Sequence, residues 1–174
     1  DALTPIVNAL EHPDLHLLKD SGEVSLNDDF VINVLSVFDA DNWSEPSNYN
    51  KINIALYHGS ISNCKTDTGW VMEDGEHEVD IFEDFDSFDY AFLGDIHKTN
   101  QTLDKDGRIR YCGSTVQQNH GETNDKGFLL WDILNKEKFS VRHIHIENPK
   151  PFITARLTPK GRLPNKFIAP TGAR

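Results

Sequence analysis

Short apolar runs separated by polar segments make up most of the chain. The main runs are rich in the β-branched and aromatic residues that are typical of strands. Each is too short for a long helix, and polar or turn-forming residues follow each one. These runs lie at 30–38, 52–57, 89–93 and 127–133. The pattern predicts an α/β fold, with residues 30–38 as a strongly buried strand.

Weaker patterns predict the elements around these strands. Leu3–Leu10 has apolar residues at spacings of three and four, and Thr4-Pro5 resembles an N-cap followed by proline at the first helical position, so a helix is expected there. Two short strands are predicted around a Ser21-Gly22 turn, at 15–18 and 23–26. A weakly helical segment is predicted at 79–88.

The second half of the chain predicts turns and hairpins. A turn at 104–107 joins two β-like runs, the second at 108–114, and a hairpin is expected from 127–133 and 139–146 around Asn135-Lys136. Strict alternation puts His143 and His145 on one face of the last strand. A solvent-facing pair is the preferred interpretation, with metal binding as the alternative.

Charge divides the chain into an acidic body and a basic arm. At 174 residues and a net charge of −11, the length suits one domain, or one domain plus an arm. Nine acidic residues lie between Glu73 and Asp89, whereas residues 149–174 carry no carboxylate side chain. The arm is rich in proline, and it is either a solvated linker or a phosphate-contacting segment. Its basic residues are Lys150, Arg156, Lys160, Arg162, Lys166 and Arg174.

Cysteine usage and hydropathy favour a soluble, cytoplasmic protein. Cys64 and Cys112 lie in unlike contexts, one in a polar loop and one in a strand-like run, so neither a disulfide framework nor a catalytic cysteine is expected. No apolar stretch approaches the length of a membrane span, and no membrane partner is predicted.

Two of the apolar runs end in side chains that can bind metals. His58 directly follows the run 52–57, and Asp95 and His97 follow the run 89–93. The carboxyl ends of parallel strands meet at one edge of an α/β sheet, where ligand sites commonly lie. Because imidazole and carboxylate bind divalent cations, the sequence predicts a metal site made of His58, Asp95 and His97.

Plainer interpretations exist for each of these residues. His58 and His97 would then be ordinary polar residues at strand ends, and Asp95 would cap a turn. Asp39-Ala40-Asp41 is a further candidate for cation chelation, but a loop of hydrogen-bonding turn residues is the preferred interpretation.

Four blocks, taken in order, resemble the calcineurin-like metallophosphoesterases. Within that family they are most similar to the DNA repair and recombination exonuclease subunits of the SbcD type, including phage versions. The first block resembles a strand-ending HG motif, the second an FDYxALGHxH block, the third a YxGS strand and the fourth a KGF turn. The blocks are Ala55–Gly59, Phe85–His97, Arg110–Thr115 and Lys126–Phe128. The ordered set is more specific than any single block.

The resemblance implies a mixed β-sandwich flanked by helices and a two-metal centre that uses Mn²⁺, or alternatively Mg²⁺. Such a centre hydrolyses phosphodiester bonds with a hydroxide that the two metals activate. His97 would ligate the first metal and His58 the second. Asp95 stands where the family usually has histidine, and a carboxylate suits hard cations such as manganese and magnesium.

The family's earlier motifs, DxH, GD and GNH[DE], are missing. Asn119-His120-Gly121-Glu122 imitates GNHE, but the required order of motifs fails around it, so His120 remains only a possible catalytic residue of the cleft. The resemblance therefore implies that residues 1–148 are the second half of a phosphoesterase domain and that 149–174 lead to a capping region. Ligands from outside the chain would complete the site, and the chain alone is expected to hydrolyse little.

The resemblance also implies partners. These are DNA, an SMC-like ATPase subunit with a long coiled coil, and a second copy bound through the helix at 3–10. Two other functions stay open. One is a non-catalytic dimerisation or DNA-docking module, and the other is a phosphoesterase that acts on nucleotides or phosphoproteins.

Overall fold

Strands account for most of the regular structure. The computed structural model of the protein describes residues 3–73, 84–165 and 167–174. Within these ranges the helical residues are α1 (Leu3–Leu10), a 3₁₀ turn at Ala40–Asn42 and a short helical segment at residues 84–85. The strands are β1 (Gly22–Ser25), β2 (Phe30–Leu35), β3 (Ile52–His58), β4 (Tyr90–Gly94), β5 (Gln101–Thr102), β6 (Ile109–Tyr111), β7 (Gly127–Ile133) and β8 (Phe139–His145).

The first six strands form one mixed sheet in the order β1-β2-β3-β4-β6-β5. The inner strands β2, β3, β4 and β6 run parallel, while β1 and β5 are antiparallel to their neighbours at the two edges. The prediction of an α/β-like mixed sheet is confirmed. As a result, the carboxyl ends of the parallel strands, and the loops that follow them, lie along one edge.

Alternation along β3 and β4 divides the core between the two faces of the sheet. On one face, Ala55 and Leu93 belong to a buried cluster that also holds Phe85 and Tyr111. On the other face, the side chains of alternate residues of β3 and β4 form a smaller cluster. Its buried members are Ile52, Ile54 and Tyr90.

The hairpin β7–β8 covers this second face. Trp131 and Phe139 pack on Tyr90, with ring centroids 6.0 and 5.2 Å away, and Trp131 also lies 4.7 Å from the ring of Phe92. The Tyr90 hydroxyl donates a hydrogen bond to the Asn135 carbonyl at 2.7 Å in the hairpin turn. The predicted hairpin around Asn135-Lys136 is therefore confirmed, and it forms a second layer on the sheet.

Several predictions need correction. Residues 15–18 form no strand, because no neighbouring strand pairs with them and both Leu15 and Leu18 stay exposed. The buried strand predicted at 30–38 ends at Leu35, and Phe38 is 92% exposed. Residues 79–83 of the helical segment predicted at 79–88 lie outside the described residues, and of the described ones residues 84–85 are helical.

Of the predicted flanking helices, the described ranges hold α1 and the short helical segment at 84–85, and α1 buries no residue. None of the helices described is long and apolar enough to cross a membrane. His143 is also not the solvent-facing residue expected, since its ring is half-buried on the inner face of the hairpin and its Nε2 atom is inaccessible without a hydrogen-bond partner. His145 is exposed, as predicted.

The basic arm contains no helix or strand among its described residues, but its first residues bind the body. The buried Gln117 side chain accepts a hydrogen bond from the Phe152 N–H at 2.9 Å and donates one to the Phe152 carbonyl at 3.3 Å. Arg174 lies 4.2 Å from the centroid of the Phe152 ring, and Ile153 donates its N–H to the Arg174 carbonyl. The arm therefore folds back on its own beginning at this contact.

Candidate metal centre

The carboxyl ends of β3 and β4 bring two of the predicted ligands together. His58 is the last residue of β3 and lies in register with Gly94, the last residue of β4. Asp95 follows immediately, and its Oδ1 atom lies 3.9 Å from Nε2 of His58. The side chains are 80% and 49% exposed, respectively. Both groups can therefore reach a cation from solvent.

Two backbone features produce this approach. A Cβ atom at Gly94 would lie 2.6 Å from Nδ1 of His58, so only glycine leaves room for the imidazole in this position. Asp95 has a φ of 88°, in the left-handed region that residues with side chains seldom adopt. This turn takes the chain out of the sheet directly after the strand, and it leaves the Asp95 carboxylate beside His58.

His97 lies in an adjacent cleft of about 260 Å³ that Asp95 also lines. The Nδ1 atom of His97 is 3.0 Å from Oε1 of Glu122, and its side chain is 39% exposed. The remaining walls of the cleft come from the loops after β3 and β4 and from the loop between β6 and β7. They are Thr66, Asp67, Thr68, Ile96 and Asn119.

A fully buried lysine ties the walls of this cleft together. The Lys126 ammonium lies 2.6 Å from Asp67 and 3.4 Å from Glu122, and it donates a hydrogen bond to the His97 carbonyl at 2.7 Å. The side chains of Asp67 and Glu122 are each only 6% exposed. Since a buried ammonium needs charged and hydrogen-bonding partners, these contacts fix the relative positions of three loops.

Opposing effects set the pKa of Glu122. Burial on its own would raise the pKa, but the backbone hydrogen bond from Gln118, the hydrogen bond with His97 and the nearby Lys126 charge lower it further than burial raises it. The net pKa lies below the ordinary value of a glutamate, so Glu122 is a carboxylate at neutral pH.

The three predicted ligands thus do not form one group. His58 is paired with Asp95, while His97 is paired with Glu122 and shares a cleft with Asp95. Within the part of the chain that the structure describes, no group of three or more His, Cys, Asp or Glu side chains is positioned to hold one metal ion.

The other candidates have local structural contacts. His120 is exposed, its ring packs edge-on against Phe152 with 4.9 Å between centroids, and it is not among the residues that line the cleft. Both carboxylate oxygens of Asp39 accept hydrogen bonds from Ser21, one from its hydroxyl and one from its N–H. These bonds lower the pKa of Asp39 and support the interpretation of a hydrogen-bonded loop over cation chelation.

Sequence reasoning missed the most connected residues of the cleft. In the sequence, Glu122 stands out only as part of a false GNHE match, and Lys126 only as part of a turn motif. Asp67 carried no signal in the sequence. A polar cluster of this kind has no fixed spacing, since its members come from separate loops.

The donor set at the strand ends suits a divalent cation. Protein nitrogen and oxygen atoms lie roughly 2 Å from the metals they bind, so two ligands of one ion are separated by no more than roughly 4 Å. The 3.9 Å between His58 and Asp95 falls within this limit. The pair therefore fits as two ligands of an incomplete metal site, and His97 supplies another ring nitrogen in the neighbouring cleft.

Comparison with known proteins gives limited information about family. No family model matches the chain. The chain is similar to the uncharacterized protein R555 of Acanthamoeba polyphaga mimivirus, with 36% identity over 169 residues, which is 90% of this chain and 12% of the relative. The chain thus spans only about an eighth of the length of this curated relative, whose name states no activity.

Proposed function

We propose that this chain contributes metal ligands to a metal-dependent phosphodiesterase of the calcineurin-like type, a nuclease acting on DNA. The observation that carries the proposal is the convergence of His58 and Asp95. Parallel strands in register deliver an imidazole and a carboxylate, 3.9 Å apart, to the edge of the sheet where α/β proteins bind ligands.

Further support comes from the order of the sequence blocks along the sheet. The HG and GDIH segments end adjacent parallel strands, and Arg110-Tyr111 of the YxGS block lies in β6, next to β4. Three of the four blocks therefore lie on neighbouring strands, and the fourth is joined to the third by a hydrogen bond from the Gly127 N–H to the Ser114 carbonyl at 3.1 Å.

The chain's own residues have separate tasks in this proposal. His58 and Asp95 bind one cation. His97 can bind a cation through its Nε2 atom, which Glu122 does not contact. Mn²⁺ or Mg²⁺, when bound, supplies a Lewis acid that stabilises negative charge on a phosphate. Residues outside this chain supply the remaining ligands, including a bridging carboxylate. By itself the chain is therefore expected to cleave DNA poorly.

A metal titration tests the proposal. Mn²⁺ added to the protein should bind at a site that His58→Ala and Asp95→Asn each weaken by tenfold or more, measured by calorimetry or by the electron paramagnetic resonance signal of free Mn²⁺. His145→Ala is the matched control, because His145 is an exposed imidazole outside the site. Equal Mn²⁺ binding by all four proteins would contradict the proposal.

DNA cleavage is the second part of the test. The gene region upstream of the Asp1 codon should encode DxH, GD and GNH[DE] motifs in one open frame. The longer protein should cleave duplex DNA in Mn²⁺, and His97→Ala should abolish the cleavage. Activity on small phosphodiesters but not on DNA would select the nucleotide or phosphoprotein alternative.

A second candidate function is a dimerisation or DNA-docking module without catalysis. Helix α1 favours it, since Leu3, Ile6 and Leu10 occupy one face and are 57, 56 and 62% exposed. The basic arm could contact phosphates or an SMC-like ATPase subunit. Salt-dependent binding of DNA that persists with a chelator and in His58→Ala would favour this candidate, as would a dimer that Ile6→Glu dissociates.

A further inference from the structure

Glu122 has an unusually complete set of hydrogen-bonding contacts. Its Oε1 atom lies 3.0 Å from Nδ1 of His97 and accepts a hydrogen bond from the Asn119 amide at 2.7 Å. Its Oε2 atom accepts one from the Gln118 N–H at 3.0 Å and lies 3.4 Å from the Lys126 ammonium. The carboxylate is 6% exposed and is approached at both oxygens.

These contacts determine which nitrogen of His97 carries the proton. An ionised carboxylate only accepts hydrogen bonds, and Asn119, Gln118 and Lys126 all approach Glu122 with donors. The Nδ1 atom of His97 must also be a donor, because two acceptors would repel each other at 3.0 Å. In the neutral ring the proton is therefore on Nδ1, and the lone pair is on Nε2.

The Nε2 atom is the part of the ring left for a ligand. Its nearest described polar contact is the Gln118 side-chain amide, at 3.5 Å, the outer limit of a hydrogen bond. His97 is partly exposed in the wall of the cleft that it shares with Asp95. A carboxylate that holds the other ring nitrogen is the usual support of a histidine that binds metal through its free nitrogen.

We propose that Glu122 is a positioning residue that holds His97 in the Nδ1–H form, so that its Nε2 lone pair is available to a divalent cation in the cleft. The Lys126 ammonium lies beside Glu122, and Asp67 holds that ammonium in place. The cation part of this inference rests on the proposed function, whereas the tautomer is a property of the protein alone. The two parts can therefore fail separately.

Nitrogen-15 NMR of the histidine rings measures the tautomer directly. At about pH 8, where imidazoles are neutral, His97 should show a protonated Nδ1 and an unprotonated Nε2. The signals are assigned by their loss in His97→Gln, and the exposed His145 is an internal comparison. A wild-type His97 with its proton on Nε2 would overturn the proposal, whether or not any variant folds.

The variant Glu122→Gln should reverse the tautomer. One carboxylate oxygen becomes an NH₂ group, and the Lys126 charge keeps the remaining oxygen on its own side. The NH₂ group then faces Nδ1 of His97, which must become the acceptor, so the proton moves to Nε2; the Asn119 amide loses its acceptor on the same side. Asn119→Ala removes a different donor from the same carboxylate and should leave the His97 tautomer unchanged. A folded Glu122→Gln protein that keeps the wild-type tautomer would contradict the inference.

Paramagnetic Mn²⁺ tests the cation part in the same samples. Millimolar Mn²⁺ should broaden the His97 ring signals of the wild-type protein, and Glu122→Gln should require about tenfold more Mn²⁺ for the same broadening. If the tautomer is as expected but Mn²⁺ leaves the His97 signals unchanged, the metal at His97 is excluded while the Glu122–His97 positioning stands. If the proton of His97 is on Nε2 but Mn²⁺ broadens the ring signals of His58 and His97, the proposed function survives without this role for Glu122.

Discussion

At the scale of single residues, Asp95 combines a proposed ligand position with an unusual backbone conformation. Its φ of 88° belongs to a region that asparagine, aspartate and glycine tolerate better than other residues. The conformation turns the chain at the end of β4 and leaves the carboxylate beside His58. Such local strain is held by the surrounding structure.

Two substitutions at Asp95 separate the effect of its backbone conformation on stability from the effect of its carboxylate on metal binding. Asp95→Asn should change the free energy of unfolding by less than about 0.5 kcal/mol, whereas Asp95→Val should lower it by roughly 1–3 kcal/mol, because a β-branched side chain is strained at this φ. Both should weaken Mn²⁺ binding, since both remove the carboxylate. Urea unfolding and Mn²⁺ titration measure the two effects. Equal stability of the two variants would show that the backbone conformation costs nothing.

Asp39 predicts a pH dependence of stability. Hydrogen bonds from Ser21 lower the pKa of Asp39 in the folded state, so the ionised carboxylate stabilises the fold at neutral pH. This stability is lost as the pH falls below the pKa of an unfolded aspartate, about 3.9, and through the lower pKa of the folded state. Asp39→Asn should therefore lower the urea midpoint at pH 7, and its difference from wild type should shrink on acidification below about pH 4.

The exposed neighbour Asp41 provides the control for this prediction. Asp41→Asn should leave the urea midpoint nearly unchanged at both pH values. A difference between Asp39→Asn and wild type that grows on acidification would contradict the assignment of the Ser21 hydrogen bonds.

At the scale of elements, the hairpin β7–β8 is held to the sheet by its aromatic face. Alternation along β7 turns Trp131 inward and Phe128 outward, where Phe128 is 43% exposed. Trp131 contacts the rings of Tyr90, Phe92 and Phe139 and lies 5.8 Å from the Arg110 guanidinium. The hairpin therefore covers one sheet face through one side of its ribbon.

Truncating the inward-facing Trp131 side chain should detach the hairpin from the sheet. Trp131→Ala should lower the free energy of unfolding by about 3 kcal/mol, because it removes a large aromatic side chain from three ring contacts. Phe128→Ala, on the outward face of the same strand, should cost less than about 1 kcal/mol. Urea unfolding of the two variants compares them. Equal losses would show that the inward contacts are not what holds the hairpin.

At the scale of the whole molecule, one buried ammonium joins segments that are far apart in sequence. Lys126 contacts Asp67 after β3, the His97 carbonyl after β4 and Glu122 between β6 and β7. The loops at the carboxyl edge of the sheet thus depend on each other through one side chain. Breaking a buried ion pair by removing one partner leaves an uncompensated charge, which is costly.

Lys126→Met tests this connection. It should lower the free energy of unfolding by about 3–5 kcal/mol, since Asp67 and Glu122 lose their buried counter-charge. The exposed Lys138→Met is the control and should change stability by less than about 0.5 kcal/mol. Urea unfolding monitored by circular dichroism measures both. A small effect of Lys126→Met would mean that water, rather than the ion pairs, stabilises the two carboxylates.

The strands and their polar ends could be predicted from the sequence, because both depend on local patterns. Short runs of β-branched and aromatic residues identified β2, β3, β4 and the hairpin. Parallel strands place their carboxyl ends at one edge, so the approach of His58 to Asp95 followed from their positions at the ends of two such strands. The strand predicted at 15–18 failed, because a strand also needs a partner, and its apolar residues found none.

The sequence by itself thus determined the sheet strands and the residues at their carboxyl ends. Only the tertiary structure decided the partner of His97, because Glu122 lies 25 residues further along, in a loop without regular spacing. It likewise decided that Lys126 is buried, and that the hairpin covers the face carrying Tyr90. Periodicity follows from local backbone geometry, whereas polar networks form where loops meet, and those meetings depend on the packing of the whole chain.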